Sequence, residues 1–372
     1  MTPDPLVLEM GRKFAQDRLA PTAAAREKAA CIEPEIIAEL GELGILGATT
    51  PTEWDGSELD PLTYALLVEE ISAGDGSVST LVSVHNSPTC EVLSQFGTNA
   101  QKDRWLRPLA TGRHVGSFGL TEPQAGSDAA NLRTRAVKRG NSYVINGSKQ
   151  FISSGALPGS IVLFAVTDPE AGKRGISCFV VEKGCPGYVV ARKEEKLGLK
   201  ASDTCALMFE DMEVPEDQRV GAEGQGYRIA LSTLESGRIG IAAQSVGIAR
   251  AALEYAIAYA RDRRAFGSPI IDHQAVAFRL VDAKTRLEAA RQMTLHAARL
   301  KADGNPALEA ACMAKLFASE VAEAVCTAAI QTLGGYGYLA DYPVERMYRD
   351  VRVCQIYEGT SDIQKIILQR TL

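Results

Sequence analysis

The chain has four histidines, His85, His114, His273 and His296, and none stands at ligand spacing from another or beside a cysteine pair. A zinc or other transition-metal centre needs several such donors converging, so no metal site is expected. The eight cysteines, Cys31, Cys90, Cys178, Cys185, Cys205, Cys312, Cys326 and Cys354, include no CxxC pair and read as reduced core thiols. Cys354 has no histidine near it in sequence, which argues against a thiol nucleophile. Long apolar runs are missing too: no stretch approaches the roughly 20 residues that cross a bilayer. Met1-Thr2-Pro3-Asp4-Pro5 carries neither the basic nor the apolar region of a signal peptide. The net charge of −6 is mild, and Lys and Arg form no run interleaved with aromatics, so neither nucleic acid nor membrane is expected as a partner. These absences leave a soluble, intracellular chain of 372 residues, long enough for two or three domains.

Hydrophobic periodicity divides the chain into three. From Leu6 to about Arg113 apolar residues recur at three and four; Pro34 and Pro61 stand at early helical positions, and Trp54-Asp55-Gly56 and Gly74-Asp75-Gly76 read as loops. A helix is expected over Thr80 to Phe96. Between about Val115 and Val220 the period becomes that of strands. Leu132 to Val137 alternates, Ser160 to Val166, Ile176 to Val181 and Ala206 to Phe209 are short apolar runs, and Asn146-Gly147 carries a hairpin signal. The expectation is an antiparallel sheet curled into a barrel. From Gly226 onward long Ala- and Leu-rich segments (Ile229 to Arg261, Ala275 to Ala302, Pro306 to Leu333, Pro343 to Tyr348) predict an antiparallel helical bundle. The fold class is therefore α+β, mostly α: an N-terminal helical domain over 1–114, a middle β-barrel domain over 115–222 and a C-terminal four-helix bundle over 223–372. Gly224 and Gly226 are no dinucleotide fingerprint, because no strand, acid and crossover helix surround them.

One stretch carries the chemistry: Gln355-Ile356-Tyr357-Glu358-Gly359-Thr360-Ser361-Asp362-Ile363-Gln364. Ser361 and Gln364 have capping-box spacing at the start of a short helix with Ile363, Ile366 and Ile367 on its apolar face. Glu358 then sits in a loop pinned by that cap, and a partly apolar setting raises a carboxyl toward working pH, as suits a general base. These ten residues alone equally describe an ordinary loop glutamate. Thr121-Glu122-Pro123-Gln124-Ala125-Gly126-Ser127-Asp128 is dense in small residues and offers N–H groups to a ligand, yet it also reads as a plain turn. Arg261 to Arg264 suits a solvated helix end, Leu333-Gly334-Gly335 a helix C-cap, and Glu235 with Arg238, at i and i+3, a surface ion pair.

Taken together, Tyr357-Glu358-Gly359-Thr360-Ser361, the Thr121 to Asp128 segment and the Gln331 to Gly337 segment resemble the acyl-CoA dehydrogenase family, with its short-chain, butyryl-type members nearest. The resemblance runs from about residue 5 to the end, in order. It implies FAD as cofactor and Glu358 as the catalytic base, which removes the α-proton of an acyl-CoA thioester while the β-hydrogen passes to flavin N5. It implies flavin contacts from Phe118, Leu120, Thr121, Gly126, Ser127, Phe151, Ser153, Thr360 and Asp362. Arg263, Phe266, Gln274, Gln331, Gly334 and Gly335 are implied to hold the flavin of the neighbouring subunit. Ser127, Glu235, Arg238 and Gly359 are implied to meet the substrate, and Val82, Ser83, Val84, His85 and Asn86 to face the acyl pocket. The chain departs from the family pattern at Phe151, where tryptophan is commoner, and at Glu235, where aspartate is usual. Gly237 stands where the isovaleryl and long-chain branches carry their base, which leaves Glu358 without a rival. The resemblance further implies a homotetramer, electron-transfer flavoprotein as electron acceptor, and a bacterial cytoplasmic or mitochondrial matrix location. An acyl-CoA oxidase or a dehydrogenase of carrier-protein-linked acyl groups is the alternative on the same fold; a flavin-free binding member of the fold is the reading from another class.

Overall fold

The computed structural model describes residues 2–372. Helices fill the chain to Ala110, a sheet follows, and helices return from Gly226 to Gln369. The strands are β1 (Val115–Gly119), β2 (Arg135–Arg139), β3 (Ser142–Ser153), β4 (Gly159–Val166), β5 (Ile176–Glu182), β6 (Tyr188–Lys193), β7 (Thr204–Pro215) and β8 (Arg219–Val220). Their order is β6-β7-β3-β2-β4-β5-β8, with β1 beside β4. The expected barrel does not close: β6 and β8 are free ends, and β1 runs parallel to β4 rather than antiparallel. The physical reason lies at one edge of β4. There β1 pairs from Gly159 to Leu163, so β2 meets β4 only where Arg135 faces Val166. Every residue of β4 is buried, because its alternating side chains feed two cores. Val162, Phe164 and Val166 join Trp105, Leu109 and Ile176 on one face, while Ile161, Leu163 and Ala165 join Tyr143, Phe179 and Met212 on the other.

Asn146-Gly147 is not the hairpin. The β2–β3 turn is Gly140-Asn141, with Gly140 at φ +60°, and Asn146-Gly147 lies inside β3 at a shift of register against β7. Gly147 is required there, since a Cβ would stand 2.6 Å from the Thr134 Cα. The Asn146 amide is occupied across the bulge, donating to Asp211 Oδ1 at 3.0 Å and accepting from the Asp211 N–H at 2.9 Å.

The Pro61–Gly74 helix packs against the Gly226–Asp262 and Gln274–Ala302 helices, so one hydrophobic core runs from Phe14 through Leu67 and Val246 to Val351. Two buried carboxylates fasten this junction: Glu69 takes Arg291 at 2.9 Å, and Glu70 takes Arg250 at 2.7 Å and Arg12 at 2.9 Å. The Leu308–Leu333 helix completes the bundle, with the short Pro343–Val351 and Ser361–Gln369 helices laid against it. The helix expected from Thr80 starts earlier, at Gly76, where the Asp75 carboxylate caps the Ser77 N–H at 2.7 Å. It breaks at Ser87, whose extended backbone precedes Pro88, and resumes as Glu91–Phe96.

Candidate active site

Glu358 lies between the Arg352–Gln355 turn and the Ser361–Gln369 helix, with φ +54°, followed by Gly359 at φ +86°. Two consecutive left-handed residues make a sharp corner, and a non-glycine residue there stores strain of about 1–3 kcal/mol, which surrounding contacts must hold. They do. Lys315 Nζ donates to the Gly359 carbonyl at 2.7 Å, and Gln364 Nε2 donates to the same oxygen at 2.9 Å and to the Glu358 carbonyl at 3.3 Å. The cap is one residue earlier than expected: Thr360 accepts from the Ile363 N–H at 3.2 Å, while Ser361 Oγ is buried without a partner. Gln364 therefore braces the corner's carbonyls instead of closing a capping box.

The Glu358 carboxyl points into the protein. Its Oε2 is shielded from solvent and has no hydrogen-bond partner. It rests against Gly237, where a Cβ would come within 2.6 Å of Oε2, so a larger residue there would push the carboxyl from this position. Burial pushes the carboxyl up to about 7, against the pull of Arg238 and then Lys315. Arg238 is 5% exposed and its Nε is also unpartnered. Beside the acid, Tyr357 donates its hydroxyl to Gln244, whose amide in turn donates to Thr80 Oγ1 at 2.8 Å and to the Gly76 carbonyl at 3.0 Å. Burial raises the Cys354 thiol above its ordinary value, which keeps it protonated and out of nucleophilic chemistry.

Glu235 and Arg238 share a helix but not a bond. Arg238 turns into the interior, and Glu235 faces Lys301 at 3.7 Å, a cation that also approaches Glu91 at 3.6 Å. His85 and Asn86 turn to the backbone instead of to a pocket. His85 Nδ1 accepts from the Gly116 N–H at 3.0 Å and its Nε2 lies 3.2 Å from the Leu109 carbonyl. The Asn86 amide donates to the Ile45 and Val82 carbonyls at 2.9 and 3.0 Å.

A second group gathers on the sheet. Glu122 is a buried anchor: its carboxylate takes the Arg133 N–H at 2.6 Å, the Thr134 N–H at 3.1 Å and Lys149 Nζ at 2.7 Å. Burial opposes the charge on both partners, yet Lys149 and the N–H donors hold the Glu122 carboxyl below its ordinary value. Lys149 also donates to the Leu120 carbonyl at 3.0 Å, and the Gln150 N–H donates to the Thr121 carbonyl at 2.9 Å. The Leu120-Thr121 backbone is thereby fixed against β3, with Phe118 packed on Phe164 at 5.0 Å and Gly126 and Ser127 exposed beyond the turn. Phe151 stands on a β3 bulge at φ +60° and is 64% exposed; Ser153 is half-buried two residues on.

A third group is mostly on the surface. Phe266-Gly267 form a two-residue hairpin tip, both at positive φ, and the Phe266 ring is 98% exposed. His273 braces the hairpin through the Ala265 carbonyl at 3.0 Å, with Gln274 exposed beside it. Arg263 shares a cleft of about 340 Å³ with Gly334, Gly335 and Tyr336, and its guanidinium lies 5.6 Å over the Tyr336 ring. Gly334, at φ +62°, caps the Leu308–Leu333 helix, and neither it nor Gly335 has an atom within 4 Å of where a Cβ would be. The cap and the open backbone are both there. Gln331, Thr360 and Asp362 stand at least partly exposed. The structure thus divides the expected residues into three clusters on different elements.

Lys315 and the Glu122–Lys149 pair had not been expected, and Gln364 had been expected only as the partner of a capping box. A signal existed for Lys315: a lone charge within Ala310-Ala311-Cys312-Met313-Ala314-Lys315-Leu316-Phe317-Ala318, on a helix otherwise apolar at core spacing.

A helical part, a sheet and a helical bundle, with one carboxyl shielded from solvent at a strained corner, are the features to compare with known proteins. Three family descriptions match in order: acyl-CoA dehydrogenase N-terminal domain over residues 5–113, middle domain over 117–212 and C-terminal domain over 224–372. The chain belongs to the acyl-CoA dehydrogenase family. It is 45% identical to an acyl-CoA dehydrogenase of Bacillus subtilis (strain 168), covering 99% of this chain and 97% of that one. It is 43% identical to the short-chain specific acyl-CoA dehydrogenase of Clostridium acetobutylicum, covering 98% and 96%. The solved structure of butyryl-CoA dehydrogenase from Megasphaera elsdenii superposes with a TM-score of 0.97 at 41% identity, covering 100% of this chain and 99% of that one. A chain from a study of the electron transferring flavoprotein of Acidaminococcus fermentans superposes with a TM-score of 0.96 at 46% identity, covering 98% and 96%. Among the described residues no helix is long and apolar enough to cross a membrane.

Proposed function

We propose that this chain catalyses FAD-dependent α,β-dehydrogenation of a short-chain acyl-CoA, straight or branched, to the trans-2-enoyl-CoA, with Glu358 as the base. The observation that carries the reading is the unpartnered, solvent-shielded Oε2 of Glu358, backed by Gly237 and flanked by Arg238 and Lys315. A carboxyl with a value of about 7 holds a substantial carboxylate fraction at neutral pH and binds a proton strongly enough to take one from a carbon acid. Bound FAD would supply the hydride acceptor. The residues present fit it: the anchored Leu120-Thr121 backbone, Ser127, Phe151 and Ser153 for the ring, and Arg263, Gly334 and Gly335 with open backbone for the diphosphate. Phe266 and Gln274, on an exposed hairpin, and Gln331 are assigned to the flavin of a neighbouring subunit, which makes a homotetramer the working assembly. Glu235, Arg238 and Gly359 are assigned to the thioester and its pantetheine arm, and electron-transfer flavoprotein to the reoxidation step. Short-chain relatives support the acyl length.

The test is a panel of acyl-CoAs assayed with an artificial electron acceptor, with Glu358→Gln alongside. Turnover of short acyl-CoAs by the natural chain and its loss in the variant are expected; full activity in Glu358→Gln removes Glu358 from the reaction. A second reading has one support, a solved prolyl acyl carrier protein oxidase, AnaB, that superposes with a TM-score of 0.94 at 33% identity. Rapid reoxidation by air with peroxide release, or turnover of carrier-bound acyl groups only, would favour it.

A further inference from the structure

Lys315 flanks Glu358 in the reading just given but is assigned no role in it, and its setting needs an explanation. It is fully buried on the Leu308–Leu333 helix, forms no ion pair within 4 Å among the described residues, and donates to the Gly359 carbonyl at 2.7 Å. A buried ammonium without a close counter-ion is costly, and a lysine retained in such a place is held there by what it does. What it touches is the strained corner itself. Glu358 and Gly359 are both left-handed, Gln364 alone would brace the corner from its own helix, and Lys315 braces it from a separate one.

We infer that Lys315 is a positioning residue for proton abstraction: it locks the Glu358-Gly359 corner through the Gly359 carbonyl and holds a positive charge behind the base. The inference rests on Glu358 being the base. The groups facing the acid are Arg238 from the Gly226–Asp262 helix and Lys315 from the Leu308–Leu333 helix, with Tyr357 on its own loop. Those facing Lys315 are Cys354, Glu358, Arg238 and Cys312. Burial draws the ammonium down to about 8, and it stays mainly charged at neutral pH. When Glu358 accepts the α-proton the local carboxylate charge disappears. The cation opposes that step in energy, but it keeps the resting base ionised and aimed.

The experiment measures kcat against pH, with whichever acyl-CoA the natural enzyme oxidises, for Lys315→Met, Lys315→Gln and Lys315→Arg, all FAD-loaded. In Lys315→Met the plateau of kcat is expected to fall roughly 10- to 100-fold through misplacement of the base. Its acid limb is expected to move up by about one pH unit through loss of the charge. Lys315→Gln, neutral but still a donor, is expected to move the limb with a smaller loss of plateau; Lys315→Arg is expected to leave the limb in place. A folded neutral variant with the natural limb and plateau overturns the inference. So does failure of both neutral variants to fold while Lys315→Arg is fully active, which makes Lys315 a stability residue only. The reading of Glu358 fails separately: it falls if Glu358→Gln retains turnover, whatever the Lys315 series does.

Discussion

The corner around Glu358 and the face around Arg263 and Phe266 are built on opposite principles. The corner is enclosed by its own chain: two helices, a glycine without side chain and two buried cations fix one carboxyl, and every part comes from a single copy. The Arg263 face is open. Its phenylalanine is 98% exposed on a two-residue turn, its glycines have open space where a Cβ would stand, and its arginine lies over a tyrosine ring in a shallow cleft. An exposed aromatic of this kind on a rigid hairpin is an unfinished contact. The difference teaches that folding of one chain already fixes the Glu358 carboxyl, whereas the Arg263 face is left open, as the proposed flavin site shared between subunits requires.

The largest effect belongs to the corner. Glu358→Gln should lower kcat by about 10²- to 10⁴-fold while the protein still binds flavin, read by steady-state kinetics and the visible spectrum. Next, breaking the buried pair on the sheet with Lys149→Met leaves Glu122 charged and unpaired. It should destabilise the chain by about 3–5 kcal/mol in denaturant unfolding; a loss below ~1 kcal/mol would mean water reaches Glu122. Gly237→Ala comes third. The added methyl must displace the Glu358 carboxyl, and kcat should drop roughly tenfold or more with little change in KM. Unchanged kcat would show that the carboxyl has other room, and the contrast between a fixed corner and an open face would soften.

Fourth, the raised Glu358 value carries a sign. Its folded value of about 7 exceeds the ordinary 4.5, so the folded state favours the protonated acid. Stability from this group is full below pH ~4.5 and is lost as pH rises through about 7. Activity should therefore climb through about pH 7 as the base ionises, and Glu358→Gln should be more stable than the natural chain at pH 8 but not at pH 4. Equal differences at both pH values would mean the carboxyl is hydrated. The smallest effect on stability is expected at the open face. Phe266→Ala should change unfolding by less than about 0.5 kcal/mol, yet weaken FAD retention and subunit association. Unaltered flavin affinity and assembly in that variant would break the comparison outright.

Much of this was legible in the residues. The switch of period near Val115 and back near Gly226 marks the sheet and the long helices to within a few residues, since burial on one face imposes that period directly. Glu358 and its glycine stand out because a motif is local. Other signals misled. Asn146-Gly147 carries the chemistry of a hairpin but serves a bulge, because Thr134 passes against it and only the folded sheet reveals that. Cap spacing pointed to Ser361, whereas Thr360 takes the role, since Gln364 is drawn to the carbonyls of the corner. The cysteines were expected in the core, and six are buried; Cys31 is exposed and Cys185 half-buried.

By itself the sequence determined the class of most segments and the separation of helical and β parts, and it singled out Glu358 as the candidate acid, because period and short motifs depend on neighbours along the chain. Tertiary structure decided that the sheet stays open, that Arg238 turns inward while Glu235 meets Lys301, and that Lys315 reaches Gly359. These depend on pairs of residues distant in sequence, and no local pattern encodes which buried charge will find which partner.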